Sequence, residues 1–416
     1  MASDPHNVVV LGAGPAGIGL SHYLLRHVLP ALRASFPTQS YKLTLVSSST
    51  HYYWHFGSPR SSTSPAADML EKSFAPIAEG FKEYSTDEFT LVIGNITNVD
   101  HEAHQVAIKT DSSETSTSYD TLIIATGSST NSPVWKLQGD HLKSRAAAEE
   151  QRKKVTDAQS IIVAGGGAVG VETAGELGFN YGGTKEITLF SGAEKLLPVL
   201  RASIAKTAET KLSQLGVKVK HNIKIENTTE TADGKIEVTL SNGEKLETDL
   251  YIDAIGAHAN SSFLPPSWIN DKGRVEVNPT TLRSTKADWG VYSIGDVASY
   301  AGGGVPDVMF AIKPLASSIH SDLYALAKPT TSESPKPSKG LLSWLPFMSS
   351  PNEEPQQKPY KQMTAAMQIV PIGPKGGVGA VFGYSVPSFM VWMIKSRTFM
   401  LEKMEGAVCG DDYKKA

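Results

Sequence analysis

Cysteine is almost absent from the sequence: Cys409 is the only one in 416 residues. A lone thiol excludes an internal disulfide framework and any Cys-x-x-Cys metal or redox pair, and it fits a reducing compartment. An excess of one charge is missing too, since 39 Lys+Arg face 42 Asp+Glu for a formal net charge of −3. Nothing in that balance draws the chain to nucleic acid, and no block of like charge makes a solvating tail. No stretch reaches ~18 consecutive apolar residues, so no spanning helix is expected. The segment before Val8 is short and polar, which leaves no room for a signal or transit peptide. Ala2 stands where N-myristoylation needs glycine. The histidines are scattered; His101 and His104 share a polar, turn-like stretch without further ligands, so no metal site is expected.

What is present is ordinary for a globular chain: 40% hydrophobic and 19% charged residues. The length is too great for one core and implies two or three domains. Asn7–Leu11 is a β-branched run that stops at Gly12, which predicts a fully buried parallel strand. A helical pattern covers Ile18 to about Arg33, and Lys42–Val46 is a second buried strand. Thr121–Ala125 is another, ending at Thr126-Gly127. The pattern then restarts: Ser160–Ala164 meets a glycine cluster, a helix follows, and Glu186–Phe190 is the next strand. The same βαβ unit thus occurs twice in one chain. Residues 217–254 read as short strands, with Ser241-Asn242-Gly243 as a hairpin turn. Val291–Ile294 is one more buried strand. Residues 328–362 are rich in Pro, Ser, Lys and Glu and read as a disordered linker holding an apolar island, Leu341–Phe347. Globular composition returns at 363–408.

The first glycine cluster is Gly12-Ala13-Gly14-Pro15-Ala16-Gly17. Gly12 permits the tight turn, Gly14 lacks the Cβ that would block a pyrophosphate, and Gly17 lets helix and strand pack closely. Amides at the helix N-terminus then hold phosphate charge. The second cluster, Gly165-Gly166-Gly167-Ala168-Val169-Gly170, gives Gly165, Gly167 and Gly170 the same duties toward a nicotinamide dinucleotide. Both copies lack the acid that usually follows the second strand. Ser47 follows Val46, and serves equally as a ribose-bonding hydroxyl or as a turn residue. Ser191-Gly192-Ala193-Glu194-Lys195 follows Phe190; Lys195 suits NADPH and Glu194 suits NADH, so the choice between them is open. Two fingerprints in one chain are explained by a flavoenzyme, in which one domain holds FAD and the other delivers hydride to it. Asp296, after the strand at 291–294, can bond the ribityl hydroxyls. Met309–Pro314, with Lys313, is read as opening a helix with proline near its start, its positive end toward the flavin.

The motifs GAGPAG at 12–17, ATG at 125–127, GGGAVGVETAGEL at 165–177 and SIGD at 293–296 resemble the FAD-dependent pyridine nucleotide–disulfide oxidoreductase superfamily. The stretch GPKGGVGAVFGYSVPSFMVWMIKSR at 373–397 resembles the apoptosis-inducing-factor-like (AMID, ferroptosis suppressor) family. The resemblance implies an α/β fold of two Rossmann-like domains, the NAD(P) domain inserted in the FAD domain, with a small C-terminal α+β domain. The boundaries implied are 1–140 and 257–327 for FAD, 145–256 for NAD(P), and 363–416 for the C-terminal part. It assigns Arg60 to the flavin cofactor, Ile96 to the adenine, Thr126 and Gly127 to the FAD site, and Glu172 to the nicotinamide–flavin contact, as the catalytic residue. Tyr52-Tyr53-Trp54-His55 departs from the family pattern, which puts the family's acceptor in doubt.

Disulfide reductases of that superfamily use a Cys-x-x-x-x-Cys pair, which is missing, so electrons must pass directly to a small-molecule acceptor: a quinone, another organic molecule or O2. The expected activity is therefore FAD-dependent NAD(P)H:acceptor oxidoreduction. A metabolite-tailoring oxidoreductase and a redox-sensing flavoprotein are the alternatives. The reading places the chain in the cytoplasm, with mitochondrial association suggested by the family. Phe389, Met390, Trp392, Met393 and Ile394, followed by Lys395 and Arg397, together with Trp344 and Phe347 in the island, suit peripheral membrane contact or the core of a small domain.

Overall fold

The computed structural model of the chain describes residues 4–66, 68–328 and 354–416; the Leu341–Phe347 island and most of the expected linker lie outside the described residues. Val8, Val9, Val10 and Leu11 are wholly buried because their strand, His6–Leu11, is central in a five-stranded parallel sheet. The order is Val291–Ser293, Thr121–Ile124, His6–Leu11, Tyr41–Ser47, Phe89–Ile93. The second unit repeats the design with a four-stranded parallel sheet, in the order Val217–Lys220, Glu186–Phe190, Ser160–Ala164, Leu250–Asp253. Such β-branched runs are apolar on both faces because helices cover both sides of a parallel sheet. Each unit also carries an antiparallel three-stranded sheet, built from residues 95–118 in the first and 225–248 in the second. The predicted Ser241–Gly243 turn joins two strands of the latter.

The last strand of the first sheet, Val291–Ser293, comes after the whole second sheet, so the second Rossmann-like unit is inserted in the first. Strands Ser128–Ser129 and His258–Ala259 pair antiparallel where the chain leaves the first unit and returns. The helix expected over 18–33 spans Pro15–Tyr23 and Leu29–Ser35, joined by a π-helical turn at Leu24–Val28. The helix expected to open near Pro314 differs: it spans Val305–Ala327, with Pro306 in its first turn and Pro314 inside. Proline lacks an N–H, and the first turn is where that costs nothing, so Pro306 marks the start. No helix among the described residues is long and apolar enough to cross a membrane.

Among the described residues the C-terminal α+β part forms no apolar cluster of its own. Val370, Ile372, Val378 and Ala380, from its antiparallel strands, enter the core of the second unit. Val408, with Met404 and Tyr413 packed beside it, joins the core of the first. The tail is held by helix Pro15–Tyr23 and the turn after it. His22 Nε2 donates to the Val408 carbonyl (2.9 Å), which leaves Nδ1 to accept from the Tyr84 hydroxyl (2.9 Å), and the ring stacks on Phe81. Arg26 donates to the carbonyls of Cys409 (2.7 Å) and Gly410 (2.5 Å).

Burial, opposed by the Val408 carbonyl, pushes His22 down to about 4. His22 therefore stays neutral in the fold while the unfolded chain binds its proton near pH 6.5, so stability is lost as pH falls from about 6.5 toward 4, by up to about 1.4 kcal/mol per unit. Urea unfolding at pH 7 and pH 5 should show the wild type losing about 2 kcal/mol more than His22→Gln over that interval. Equal losses would show that His22 does not carry the acid sensitivity.

Candidate active site

The two fingerprint turns are stereochemically alike. Gly12 and Gly165 hold φ of +103° and +126°, and a Cβ on either would stand 2.6 Å from the Ala125 carbonyl oxygen or 2.5 Å from that of Ala254. At Gly17 and Gly170 a Cβ would fall on the carbonyl oxygens of Gly12 and Gly165, so each helix can cross its strand turn only with glycine there. Gly14 and Gly167 differ from these four, with nothing of the protein within 4 Å of a Cβ. Both cap a helix, Pro15–Tyr23 and Ala168–Tyr181, without a side-chain hydrogen bond to the first-turn amides. Open space beside unpaired N–H groups is the cradle a pyrophosphate requires. The residues present fit two dinucleotides.

A cavity of about 950 Å3 joins the two turns. At one end it is lined by Gly12, Ala13, Gly14, Pro15 and Ala16, with Ser47 and Ile96 beside them, and at the other by Ala168, Val169 and Glu172. Thr126, Gly127 and Asp296 line it between, together with Gly303, Gly304 and Val305 at the start of the long helix. Ser47 faces the cavity, but its hydroxyl closes a turn by donating to the Ser49 carbonyl at 2.7 Å. Thr126 Oγ1 donates to Asn260 O at 2.6 Å, and the Asn260 amide returns a bond to Thr126 O at 2.9 Å. Asp296 accepts from Lys136 Nζ (2.6 Å) and Ser128 Oγ (2.8 Å). Burial would raise its carboxyl, yet the Lys136 ammonium outweighs that and holds it below the usual range.

Three sets of the expected site residues do not line the cavity. Arg60 does not line the cavity. It forms a two-pronged pair with Glu176, Nε to Oε2 at 2.9 Å and Nη2 to Oε1 at 2.8 Å, and lies over the Phe399 ring. A nearly buried carboxylate binds a guanidinium more tightly than open cavity does. Lys313 also points away; it reaches the Lys415 carbonyl (3.5 Å) above the Tyr23 ring, because position 313 lies two turns into the helix rather than at its start. Gly165, Gly167 and Gly170 shape the second turn without lining this cavity, whereas the Gly12–Ala16 backbone does.

Glu172 is buried, and its Oε1 receives the Lys395 ammonium at 2.6 Å. Burial pushes the Glu172 carboxyl above the carboxylate range, against the pull of Lys395. Lys395 lines the cavity as well, and so do Lys136 and His55. Burial, aided by the Lys136 ammonium, pushes His55 down to about 4, so its ring is neutral at pH 7. Sequence reasoning missed Lys395 and Lys136. Lys136 belongs to no motif, and Lys395, inside the stretch 373–397, reads as the charged flank of apolar residues. Among the described residues no cluster of His, Cys, Asp or Glu could hold a metal ion.

The family model described as pyridine nucleotide-disulphide oxidoreductase matches residues 6–317. The chain is 34% identical to Oxidoreductase phnG of Penicillium herquei, over 100% of this chain and 98% of that protein. It is 35% identical to Oxidoreductase ptaL of Pestalotiopsis fici, over 97% and 99%. Apoptosis-inducing factor 1 of Saccharomyces cerevisiae is 25% identical over 72% of this chain and 76% of that protein. The NAD-dependent persulfide reductase from A. fulgidus shares the fold with a TM-score of 0.58 at 22% identity, covering 76% of this chain and 59% of that one. The sulfide:quinone oxidoreductase from Aquifex aeolicus shares it with a TM-score of 0.55 at 18% identity, covering 77% and 75%.

The glycine geometry separates two kinds of failure. Gly14→Val meets no protein atom at its Cβ, so the variant should stay folded yet lose most of its FAD, by about tenfold or more in flavin per protein. Gly17→Val should instead lose the fold of the first unit. Absorbance ratios and thermal melts of both variants check this, and a fully flavinated Gly14→Val would refute the assignment.

Proposed function

The chain belongs to the pyridine nucleotide-disulphide oxidoreductase family and uses FAD and NAD(P)H, and from that premise we propose that it oxidises NAD(P)H and reduces a small aromatic acceptor, with quinones the leading class. The observation that carries this is the single cysteine. A protein dithiol cannot relay the electrons, so they leave for a molecule that enters the cavity. Cys409 is held in the C-terminal clasp, and burial raises its thiol, which makes it a poor thiolate. The reaction balances as NAD(P)H + H+ + quinone giving NAD(P)+ and hydroquinone. FAD, when bound, supplies the two-electron chemistry between the two substrates.

The protein's own residues position the acceptor. Tyr52, Tyr53, Phe56 and Trp135 give the cavity aromatic walls suited to a flat acceptor. The Lys395 ammonium lines the cavity wall, held there by its hydrogen bond to Glu172 Oε1, where it can donate a hydrogen bond to an acceptor oxygen. A second reading, an oxidoreductase for one aromatic metabolite, is favoured by the end-to-end likeness to the two proteins named oxidoreductases. That likeness takes in the segment that supplies Lys395.

The acceptor's route suggests a surface. Phe389, Trp392, Met393 and Ile394 are exposed, and Arg397 lies over the Trp392 ring. This pattern supports peripheral contact with an anionic bilayer. Flotation with anionic liposomes should carry the wild type upward and leave Phe389→Ser/Trp392→Ser in the soluble fraction; wild type that stays soluble at low salt removes the membrane from the proposal.

Turnover tests the chemistry. Gly167→Val should keep FAD but slow its bleaching by NAD(P)H at least about tenfold, while Cys409→Ser should turn over quinone within about twofold of wild type. A tenfold loss in Cys409→Ser would bring thiol chemistry back. A wild type that forms one long-lived reduced complex, without repeated turnover on any quinone or aromatic acceptor, would make it a sensor instead.

A further inference from the structure

Strand Glu186–Phe190 delivers the chain to Ser191, where a dinucleotide fold usually sets an acid against the adenosine ribose. Ser191 is buried, and its hydroxyl closes a local turn, donating to the Ala193 carbonyl (3.1 Å) and accepting the Ala193 amide (3.3 Å). It abuts the fingerprint itself, since a Cβ on Gly166 would fall on Ser191 Oγ. No carboxylate therefore occupies the ribose position.

Cations stand beside it. The neighbouring strand Val217–Lys220 runs on into residues 221–224, which are stitched to the Ser191 turn: Ser191 N donates to Lys220 O (2.8 Å), Ile223 N to Ser191 O (3.1 Å) and Asn222 N to Ala193 O (3.2 Å). This register lays the Lys224 side chain along Gly192, with Cγ only 2.9 Å and Cε 3.6 Å from where a Cβ would be. Any other residue at 192 would displace it. Lys224 is exposed, and among the described residues its ammonium makes no hydrogen bond or ion pair. Lys195, the cation the sequence singles out, is instead tied to the Leu200 carbonyl. His221 is paired with Glu209 at 3.1 Å. Across residues 191–201 and 220–224 the only acid is the exposed Glu194, against Lys195, Arg201, Lys220 and Lys224.

We propose that this end of the second site recognises a 2′-phosphate, with Lys224 as the principal cation, so that NADPH is favoured over NADH. The proposal rests on the reading that the second fingerprint holds the nicotinamide dinucleotide. A phosphate dianion gains a charge-assisted contact with Lys224, whereas a ribose hydroxyl at the same place meets no anionic acceptor.

The probes are 2′,5′-ADP, which carries the 2′-phosphate, and 5′-AMP, which lacks it, titrated calorimetrically into the FAD-loaded enzyme. Wild type should bind 2′,5′-ADP at least about tenfold more tightly than 5′-AMP. Lys224→Ala should remove most of that preference with 5′-AMP affinity changed by less than about twofold, and Lys224→Arg should restore it. In steady state the Lys224→Ala loss should fall on KM for NADPH rather than on kcat. Equal wild-type affinity for the two nucleotides overturns the proposal, as does an equal loss of both in Lys224→Ala. Failure of both probes to bind wild type, with Gly167→Val indistinguishable from it in NAD(P)H reduction, overturns the underlying reading and the proposal with it.

Discussion

Glu172 and Glu176 stand one turn apart on helix Ala168–Tyr181, and both are almost wholly buried. A buried carboxylate costs several kcal/mol unless a cation and hydrogen bonds meet it. Neither cation comes from the second unit: Lys395 comes from the C-terminal part and Arg60 from the first unit. The helix that opens the nicotinamide fingerprint is thus fixed from both sides. Arg60 adds a bond to the Arg397 carbonyl at 3.1 Å, two residues beyond Lys395, so the two clamps share one stretch of chain. Arg60–Glu176 ties the first unit to the second, and Lys395–Glu172 ties the C-terminal part to the second at the cavity wall. Truncating one partner would leave an uncompensated buried charge, whereas a surface ion pair such as Lys82–Glu79 carries no such constraint.

This arrangement also explains what could be read from the chain and what could not. The sheets were legible because Val8–Leu11 and Ile161–Ala164 are apolar on both faces and stop at glycine, and only a parallel strand covered on both sides needs that. The glycine turns were legible because backbone crowding leaves no substitute at Gly12, Gly17, Gly165 and Gly170. Pairings between distant residues leave no local trace. Lys136 meets Asp296 across 160 positions and Lys395 meets Glu172 across 223, with no period or spacing to announce either. The partner of Arg60 was hidden for a related reason. The family resemblance gives an arginine in that loop a role toward the flavin, and no local pattern announces its pair with the buried Glu176.

The two units carry the same departure at the same place. Ser47 closes a turn onto the Ser49 carbonyl at 2.7 Å, and Ser191 closes one onto the Ala193 carbonyl at 3.1 Å. In both, a hydroxyl occupies the usual position of an acid and folds back on its own backbone, as serine does at turns. Neither serine position then places a carboxylate against a ribose, so the neighbouring segments bear on which nucleotide fits. In the first unit the wall beyond Ser47 is built by the segment after Thr126, where Ser48 Oγ reaches the Gly139 carbonyl and Gln138 lines the cavity. In the second it is built by residues 220–224, which are rich in lysine. A serine for an acid is therefore a small local change whose effect depends on the segment packed beside it. The segments beyond the two serines differ in kind, a loop at 138–139 in the first unit and the continuation of a strand at 220–224 in the second, so the two halves of one duplicated scaffold are walled differently.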